Sequence, residues 1–381
     1  MDYLTHRRQE VVRDQKKADG VDALLVTNPV NVGYLTGFTG DSSYLILSPK
    51  HTVLVTDSRF EQQAAEECPG LEMHVRPHDQ TTPEAAAAVL TKMGVKAVGL
   101  EAAHATLALQ QALATAGPKL TFAPTHGKVE KLRAVKDAGE VEAIRGAVRA
   151  AERAFAMFAP MLRETDTEKD MADALDGFLR RAGARGASFP PICAVGDRGA
   201  LPHAPPTARP LGDGSKLLVD WGADCGYKSD LTRTLRSPFG TAPSRRNKAE
   251  RVGVNFDEVY DAVCQAQDAA AAAVRHGAAA KDVDAAARKA LAKVKLKGSP
   301  TLNLADHFTH GLGHGIGREL HEAPRVRANS DDILESGMVI TIEPGVYIQG
   351  WGGVRIEDVF LVTKDGATRL STLPRDPGAI G

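Results

Sequence analysis

Cysteine is scarce in this sequence: Cys68, Cys193, Cys225 and Cys264 are the four among 381 residues, and none pair as Cys-x-x-Cys. Neither a zinc cluster nor a dithiol redox motif is therefore expected, and four unpaired thiols in a reducing cytosol is the reading that follows. An excess of charge of one sign is missing too. With 47 basic and 48 acidic residues the net charge is −1, so there is no electrostatic case for nucleic acid or an anionic membrane. A small or neutral partner is expected instead. No apolar run approaches the roughly 18 residues of a membrane span. The opening MDYLTHRRQEVVRDQKK carries charge without a following apolar stretch, unlike a secretory signal. These absences point to a cytoplasmic protein.

What is present is ordinary for a globular chain: 43% hydrophobic and 25% charged residues, enough to bury a full core without staples. The length predicts two domains. Over residues 1–131, a leading helix at residues 1–19 is followed by apolar runs at Ala23–Val26, Tyr44–Leu47 and Val53–Val55. Helical stretches are expected near Arg59–Glu67, Pro83–Lys92 and Ala105–Ala116, giving an α/β domain. Over 132–381, alanine-rich helices are expected at Leu132–Arg163, after Thr167, at Val259–His276 and at Asp282–Lys295. Strands are expected at Ile192–Val195, Lys216–Ala223, Tyr227–Leu235, Met338–Glu343 and Val354–Thr363, giving an α+β domain. Thr167 with Asp170 fits a capping box, with Asp in place of the preferred Glu.

Four carboxylates stand in otherwise apolar strands: Asp220 in LLVDWGA, Asp230 in YKSDLTRTL, Glu343 in MVITIEPG and Glu357 in GVRIEDVFLV. A buried carboxylate without a partner is costly, so each needs one. A hairpin whose loop is Asp224-Cys225-Gly226 would set Asp220 directly opposite Asp230, a repulsive pairing that a cation between them would reverse. Arg233 is the alternative partner. A hairpin centred on Gly350 would oppose Glu343 and Glu357, although Pro344 interrupts its ladder and Glu343 could be a solvated strand end.

His314 lies among glycines in HGLGHGIG. It belongs to a cluster with His307, His310 and His321 that holds four of the chain's 12 histidines. Glycines there would let backbone approach a ligand closely. Four carboxylates and an imidazole suit two divalent ions, hard or borderline ones such as Mn²⁺, Co²⁺ or Zn²⁺. Two such ions can hold a bridging hydroxide and polarise a carbonyl. Histidines nearby, and His203 in LPHAPP, could carry protons or stabilise an oxyanion; His203 could equally be a loop histidine without a role.

The strings LLVDWGADCGYKSDLTRT, HGLGHGIGRELHEAP, VITIEPGVY and GVRIEDVFLVT resemble the pita-bread metallopeptidases, over about residues 135–375. NVGYLTGFTGDSS and TDSRFEQQ resemble the creatinase/prolidase N-terminal domain. The resemblance implies the Xaa-Pro branch, a dipeptidase or aminopeptidase P, acting on peptides with proline at the second position. It implies Asp220, Asp230, His314, Glu343 and Glu357 as metal ligands, with Asp230 and Glu357 bridging both ions and Glu343 also the general base. His203, His310 and His321 would line the substrate, Arg325 would meet the substrate carboxylate, and Arg355 would support the ligand carboxylates. A homodimer is implied as well.

Two departures from the family pattern stand out. The loop between the two aspartates is one residue shorter, and Ser244–Asn255, SRRNKAERVGVN, reads as a basic surface insertion. Methionine aminopeptidase is the nearest alternative on this fold, and the N-terminal domain disfavours it. A metal-free creatinase-like hydrolase or a non-catalytic binding protein would not need the full ligand set.

Overall fold

Short apolar runs divided by turn residues build the sheet of the first unit. The computed structural model describes residues 3–13, 17, 19–239 and 253–375, and the chain divides into Met1–Arg133 and Ala134–Gly381. The boundary expected after residue 131 falls inside the helix Lys128–Ala134. Most of the Ser244–Asn255 insertion lies outside the described residues; its last residue, Asn255, caps the helix Phe256–Ala273 through its side-chain oxygen.

In the first unit, β1 (Ala23–Val26), β2 (Tyr44–Leu47), β3 (Thr52–Thr56), β4 (Glu72–Val75), β5 (Ala97–Glu101) and β6 (Thr121–Thr125) form one mixed sheet in the order β4-β3-β2-β1-β5-β6. β1 and β5, β3 and β4, and β5 and β6 run parallel, as an α/β layer requires. β4, β5 and β6 were not expected from the sequence. Β4 is half exposed along its length, and β5 contains Gly99, so neither shows a clean strand pattern. The segment after Asn28-Pro29 is a helix, Pro29–Thr36, and not a simple turn. Asn28 accepts from the Val30 amide, and proline at the first helical position is preset for the helix.

The second unit opens on the helix Ala138–Phe158, whose capping box joins Asp137 and Glu140. The single helix expected over Leu132–Arg163 is thus interrupted at Val135–Asp137. Glu168–Arg181 follows, and Asp170 does complete the Thr167 box. The strands are β7 (Gly186–Ala187), β8 (Ile192–Val195), β9 (Lys216–Trp221), β10 (Ala223–Asp224), β11 (Leu231–Arg236), β12 (Gly313–Gly315), β13 (Glu322–Val326), β14 (Val339–Ile342), β15 (Gly345–Ile348), β16 (Gly352–Arg355), β17 (Asp358–Val362) and β18 (Ala367–Arg369). Two antiparallel sheets, β11-β9-β8 and β13-β12-β14-β17-β18, supply the framework of the site. A bridge between Thr232 and Glu357 stitches β11 to the start of β17. Alanine lets the helices Phe256–Ala273 and Ala280–Lys293 pack closely, and they bury Val259, Val263, Val283 and Leu291 against strand residues such as Ile340, Ile342 and Val354. On the other side, Trp221 stacks on Phe155 at 4.4 Å between ring centroids and donates from Nε1 to the Ala151 carbonyl. Trp221 thus anchors β9 one residue beyond Asp220.

Candidate metal centre

The register of the first hairpin differs from the expected one. Gly226, at φ 90°, sits at the centre of the turn, with the Cys225 amide donating to the Tyr227 carbonyl. The loop is therefore centred one residue later than assumed, and the ladder shifts by two: Asp220 pairs with Thr232, and Trp221 with Leu231. Asp220 and Asp230 are diagonal neighbours, not direct ones. Because strand side chains alternate with period two, a shift of two leaves both carboxylates on one face. Asp230 lies just before β11 and outside it, which also shortens the strand expected over Tyr227–Leu235.

The second hairpin keeps its expected register on both sides of Pro344. β15 and β16 pair Gly345 with Arg355, and β14 and β17 pair Ile342 with Asp358. Glu343 and Glu357 occupy the facing positions between these ladders. Their backbones turn outward there. The Glu343 amide donates to the Leu312 carbonyl at 2.8 Å, and the Glu357 amide to the Thr232 carbonyl at 3.1 Å.

His314 is carried by β12, between β13 and β14. The glycines beside it allow close sheet packing, and Gly311 and Gly313 also line the cavity described below. A Cβ at Gly313 would lie 2.0 Å from the Thr341 carbonyl oxygen, and one at Gly315 would lie 2.1 Å from that of Ala323. His314 Nε2 is 3.5 Å from Asp230 Oδ2 and 3.6 Å from Glu343 Oε1. One ligand atom each from Asp230, His314 and Glu357 lie within 4.8 Å of one another. Asp220, Asp230, His314 and Glu357 are all buried, and Glu343 is partly exposed.

This donor set fits divalent cations. Asp220 Oδ1, Asp230 Oδ1 and Glu357 Oε1 are buried without a hydrogen-bond partner, a costly state for carboxylate oxygens that a cation would relieve. Their crowding is also felt in their acidity. Burial first, then the neighbouring Asp220, raises the Asp230 pKa well above the carboxylate range. Burial and the charges of Asp230, Glu343 and Asp220 do the same to Glu357. Burial, only partly offset by His314 and Arg355, pushes Glu343 up to about 8. All are oxygen or imidazole donors, the chemistry of hard and borderline ions.

Arg233, the alternative partner considered for Asp220, is engaged elsewhere: its Nη2 meets Asp358 Oδ1 at 2.8 Å. Arg355 is the arginine on Asp220, with Nη2 2.7 Å from Oδ2. Arg355 Nη1 donates to the Tyr347 hydroxyl, also at 2.7 Å, and that hydroxyl is 2.7 Å from His310 Nε2. Since His310 Nδ1 faces the Gly311 carbonyl, Nδ1 carries the proton and Nε2 accepts from Tyr347. Burial lowers the His310 pKa to about 4.

A cavity of about 620 Å³ opens onto these groups. Every residue expected at the site lines it: Asp220, Asp230, His314, Glu343, Glu357, His203, His310, His321, Arg325 and Arg355. His321 packs edge-on against His314 at 4.2 Å between centroids, and partial burial, with His314 and Arg325 nearby, lowers its pKa. Arg325 pairs with His314 across β12 and β13. Phe189, Pro190, Ile192 and Leu320 add apolar wall, and Arg327 adds a second arginine two residues beyond Arg325. Sequence reasoning missed Arg327 and Tyr347. Arg327 was readable from strand alternation with Arg325, whereas Tyr347 lay in a quoted motif with nothing to show where its hydroxyl would point.

The two sheets, with a five-segment donor set at their seam, define a pita-bread catalytic unit that follows the α/β N-terminal unit in sequence. Residues 142–364 match the model of metallopeptidase family M24, and residues 8–135 match the creatinase/prolidase N-terminal domain. The chain belongs to metallopeptidase family M24. It is 29% identical to an Xaa-Pro dipeptidase of Pyrococcus horikoshii, with 99% of each chain covered. Among solved structures it resembles an Xaa-Pro dipeptidase from Bacillus anthracis (TM-score 0.88, 31% identity, 99% of both chains). It also resembles an X-Pro aminopeptidase from Thermotoga maritima (TM-score 0.83, 30% identity, 96% of this chain and 99% of that one). Among the described residues, no helix is long and apolar enough to cross a membrane.

Proposed function

We propose that this chain is a metal-dependent exopeptidase that hydrolyses the Xaa-Pro bond of short peptides, with dipeptides preferred. The observation that carries the reading is the convergence of Asp220, Asp230, His314, Glu343 and Glu357 on one cavity, with three of their buried oxygens lacking a partner. These five residues would hold two divalent ions, with Mn²⁺ preferred over Co²⁺ or Zn²⁺. Bound there, the ions supply Lewis acidity and an activated water.

The remaining work falls to side chains of this chain. Glu343, once a cation has displaced its proton, would be placed to take a proton from the attacking water and return it to the leaving proline nitrogen. His310 is neutral at pH 7 and tied to Tyr347. With His203 and His321 it lines the cavity where the scissile carbonyl would sit; both His310 ring nitrogens are engaged by Gly311 and Tyr347, so a donor to developing negative charge there would come from His203 or His321. Arg325 would hold the substrate carboxylate with its two-pronged donor fork. A cytoplasmic homodimer, which the family resemblance implies, is the working form proposed, to be checked by light scattering.

The test compares hydrolysis of an Xaa-Pro dipeptide and an Xaa-Pro-Yaa tripeptide by metal-stripped protein reloaded with Mn²⁺, Co²⁺ or Zn²⁺. Metal-dependent cleavage that is faster on the dipeptide supports the proposal. Preference for the tripeptide assigns the chain to the aminopeptidase P type, and full activity after stripping overturns the metal reading. Asp230→Asn should lose at least one metal equivalent and nearly all activity.

A further inference from the structure

The strand pair carrying Glu343 and Glu357 lacks one cross-strand bond beside the two glutamates: the Ile356 amide donates to the Pro344 carbonyl at 3.4 Å, but no bond returns from Pro344, and a side chain from a helix closes that gap. Pro344 has no amide to donate, and the amides of Glu343 and Glu357 turn to Leu312 and Thr232. The Ile356 carbonyl, opposite Pro344, therefore needs a donor from elsewhere. Gln267, in the helix Phe256–Ala273 and fully buried, provides one. Its Nε2 is 3.0 Å from the Ile342 oxygen, 3.4 Å from the Ile356 oxygen and 3.1 Å from Asp358 Oδ2. Asp358 is in turn held by Arg233, whose Nη1 also donates to the carbonyls of Thr232 and Glu357.

The other end of the same amide points the argument the same way. Gln267 Oε1 is buried without a partner, which is unfavourable. A residue that only filled this space would do better as an apolar side chain. Three acceptors around Nε2 also settle which end of the amide faces the strands.

We infer that Gln267 is a positioning residue for the metal centre: it clamps the strands on either side of the ladder break and so fixes the spacing of the Glu343 and Glu357 carboxylates. The inference rests on the reading that these carboxylates hold metal. It extends to a residue that touches neither the ions nor the substrate. Groups that orient metal ligands from outside the coordination shell typically change affinity by about 10- to 100-fold when removed.

The test is Mn²⁺ binding to metal-stripped protein by titration calorimetry, in wild type and in Gln267→Met, which keeps size and loses the donor. The expected result is a 10- to 100-fold weaker Mn²⁺ dissociation constant, with a smaller Mn²⁺-induced rise in Tm. An unchanged dissociation constant, with the Tm of the metal-free and Mn²⁺-loaded forms lowered equally, would show a merely structural role and overturn the inference. Should Gln267→Met fail to fold, Gln267→Asn keeps the amide but shortens its reach, and the same weakening is expected. Failure of the wild type to bind Mn²⁺ would instead overturn the metal reading itself, so the two failures are distinguishable.

Discussion

Arg355 Nη2 lies 2.7 Å from Asp220 Oδ2, and both side chains are buried beside the donor set. The guanidinium thus neutralises one carboxylate while leaving Asp220 Oδ1 unpaired and available.

Arg355→Met should destabilise the metal-free protein by about 3–5 kcal/mol, the usual loss when one partner of a buried pair is removed. Divalent ions should restore part of that loss, because they supply the missing positive charge. Urea unfolding with and without a chelator checks this; equal losses in both conditions would contradict it.

Metal binding should release protons. With its pKa pushed up to about 8, Glu343 holds a proton at pH 7 that a cation must displace, and burial shifts Asp230 and Glu357 in the same direction. Calorimetry in buffers of different ionisation enthalpy should show release of about one proton or more per protein at pH 7. Affinity should therefore fall as the pH is lowered from 8. An enthalpy independent of the buffer would refute this.

His310 sets a second pH dependence, in stability. Its folded pKa of about 4 lies below the roughly 6.5 of a free imidazole. Neutral His310 is thus favoured by the fold, so its contribution is fully present above about 6.5 and is lost as the pH falls toward 4. The metal-free His310→Gln variant should show a shallower loss of stability across that interval, measured by denaturant unfolding at each pH. A slope equal to wild type would remove His310 from the account.

Lys136 Nζ and Glu322 Oε1 form a second buried pair, at 2.8 Å, next to His321. Lys136→Met should cost about 3–5 kcal/mol, and adding Glu322→Leu should recover much of it, since the stranded charge is then gone. A double-mutant cycle in urea measures this directly; additive losses would argue against the pair.

Arg325→Met should lower kcat/KM on an Xaa-Pro dipeptide by roughly 10- to 150-fold, the worth of a charge-assisted bond of about 1.5–3 kcal/mol. The same peptide with an amidated carboxyl should be affected much less. Equal losses on both substrates would show that Arg325 does not read the carboxylate.

The donor set was legible because acidic residues in apolar strands demand partners, and the Glu343–Glu357 opposition held because both ladders share one register across Pro344. The Asp220–Asp230 opposition was not legible. Moving a turn centre from Cys225 to Gly226 changes no residue in the hairpin, yet slides the ladder by two. Arg355 illustrates a further limit. Its partner Asp220 is 135 positions away, and only the folded backbone shows which carboxylate it meets. Gln267 was hidden for the same reason, its acceptors lying 75 to 91 positions downstream.

The donor residues are spread from Asp220 to Glu357, across the strands of two sheets. During synthesis the two aspartates emerge first, as an isolated pair of carboxylates with little hold on a cation. Glu357 follows 137 residues later (357 minus 220). Contacts of such sequence separation form late in folding. On the proposed metal reading, the ions would meet a scaffold already assembled and would not template it. Metal-stripped protein should therefore stay folded and regain its ions on reloading, without a round of unfolding.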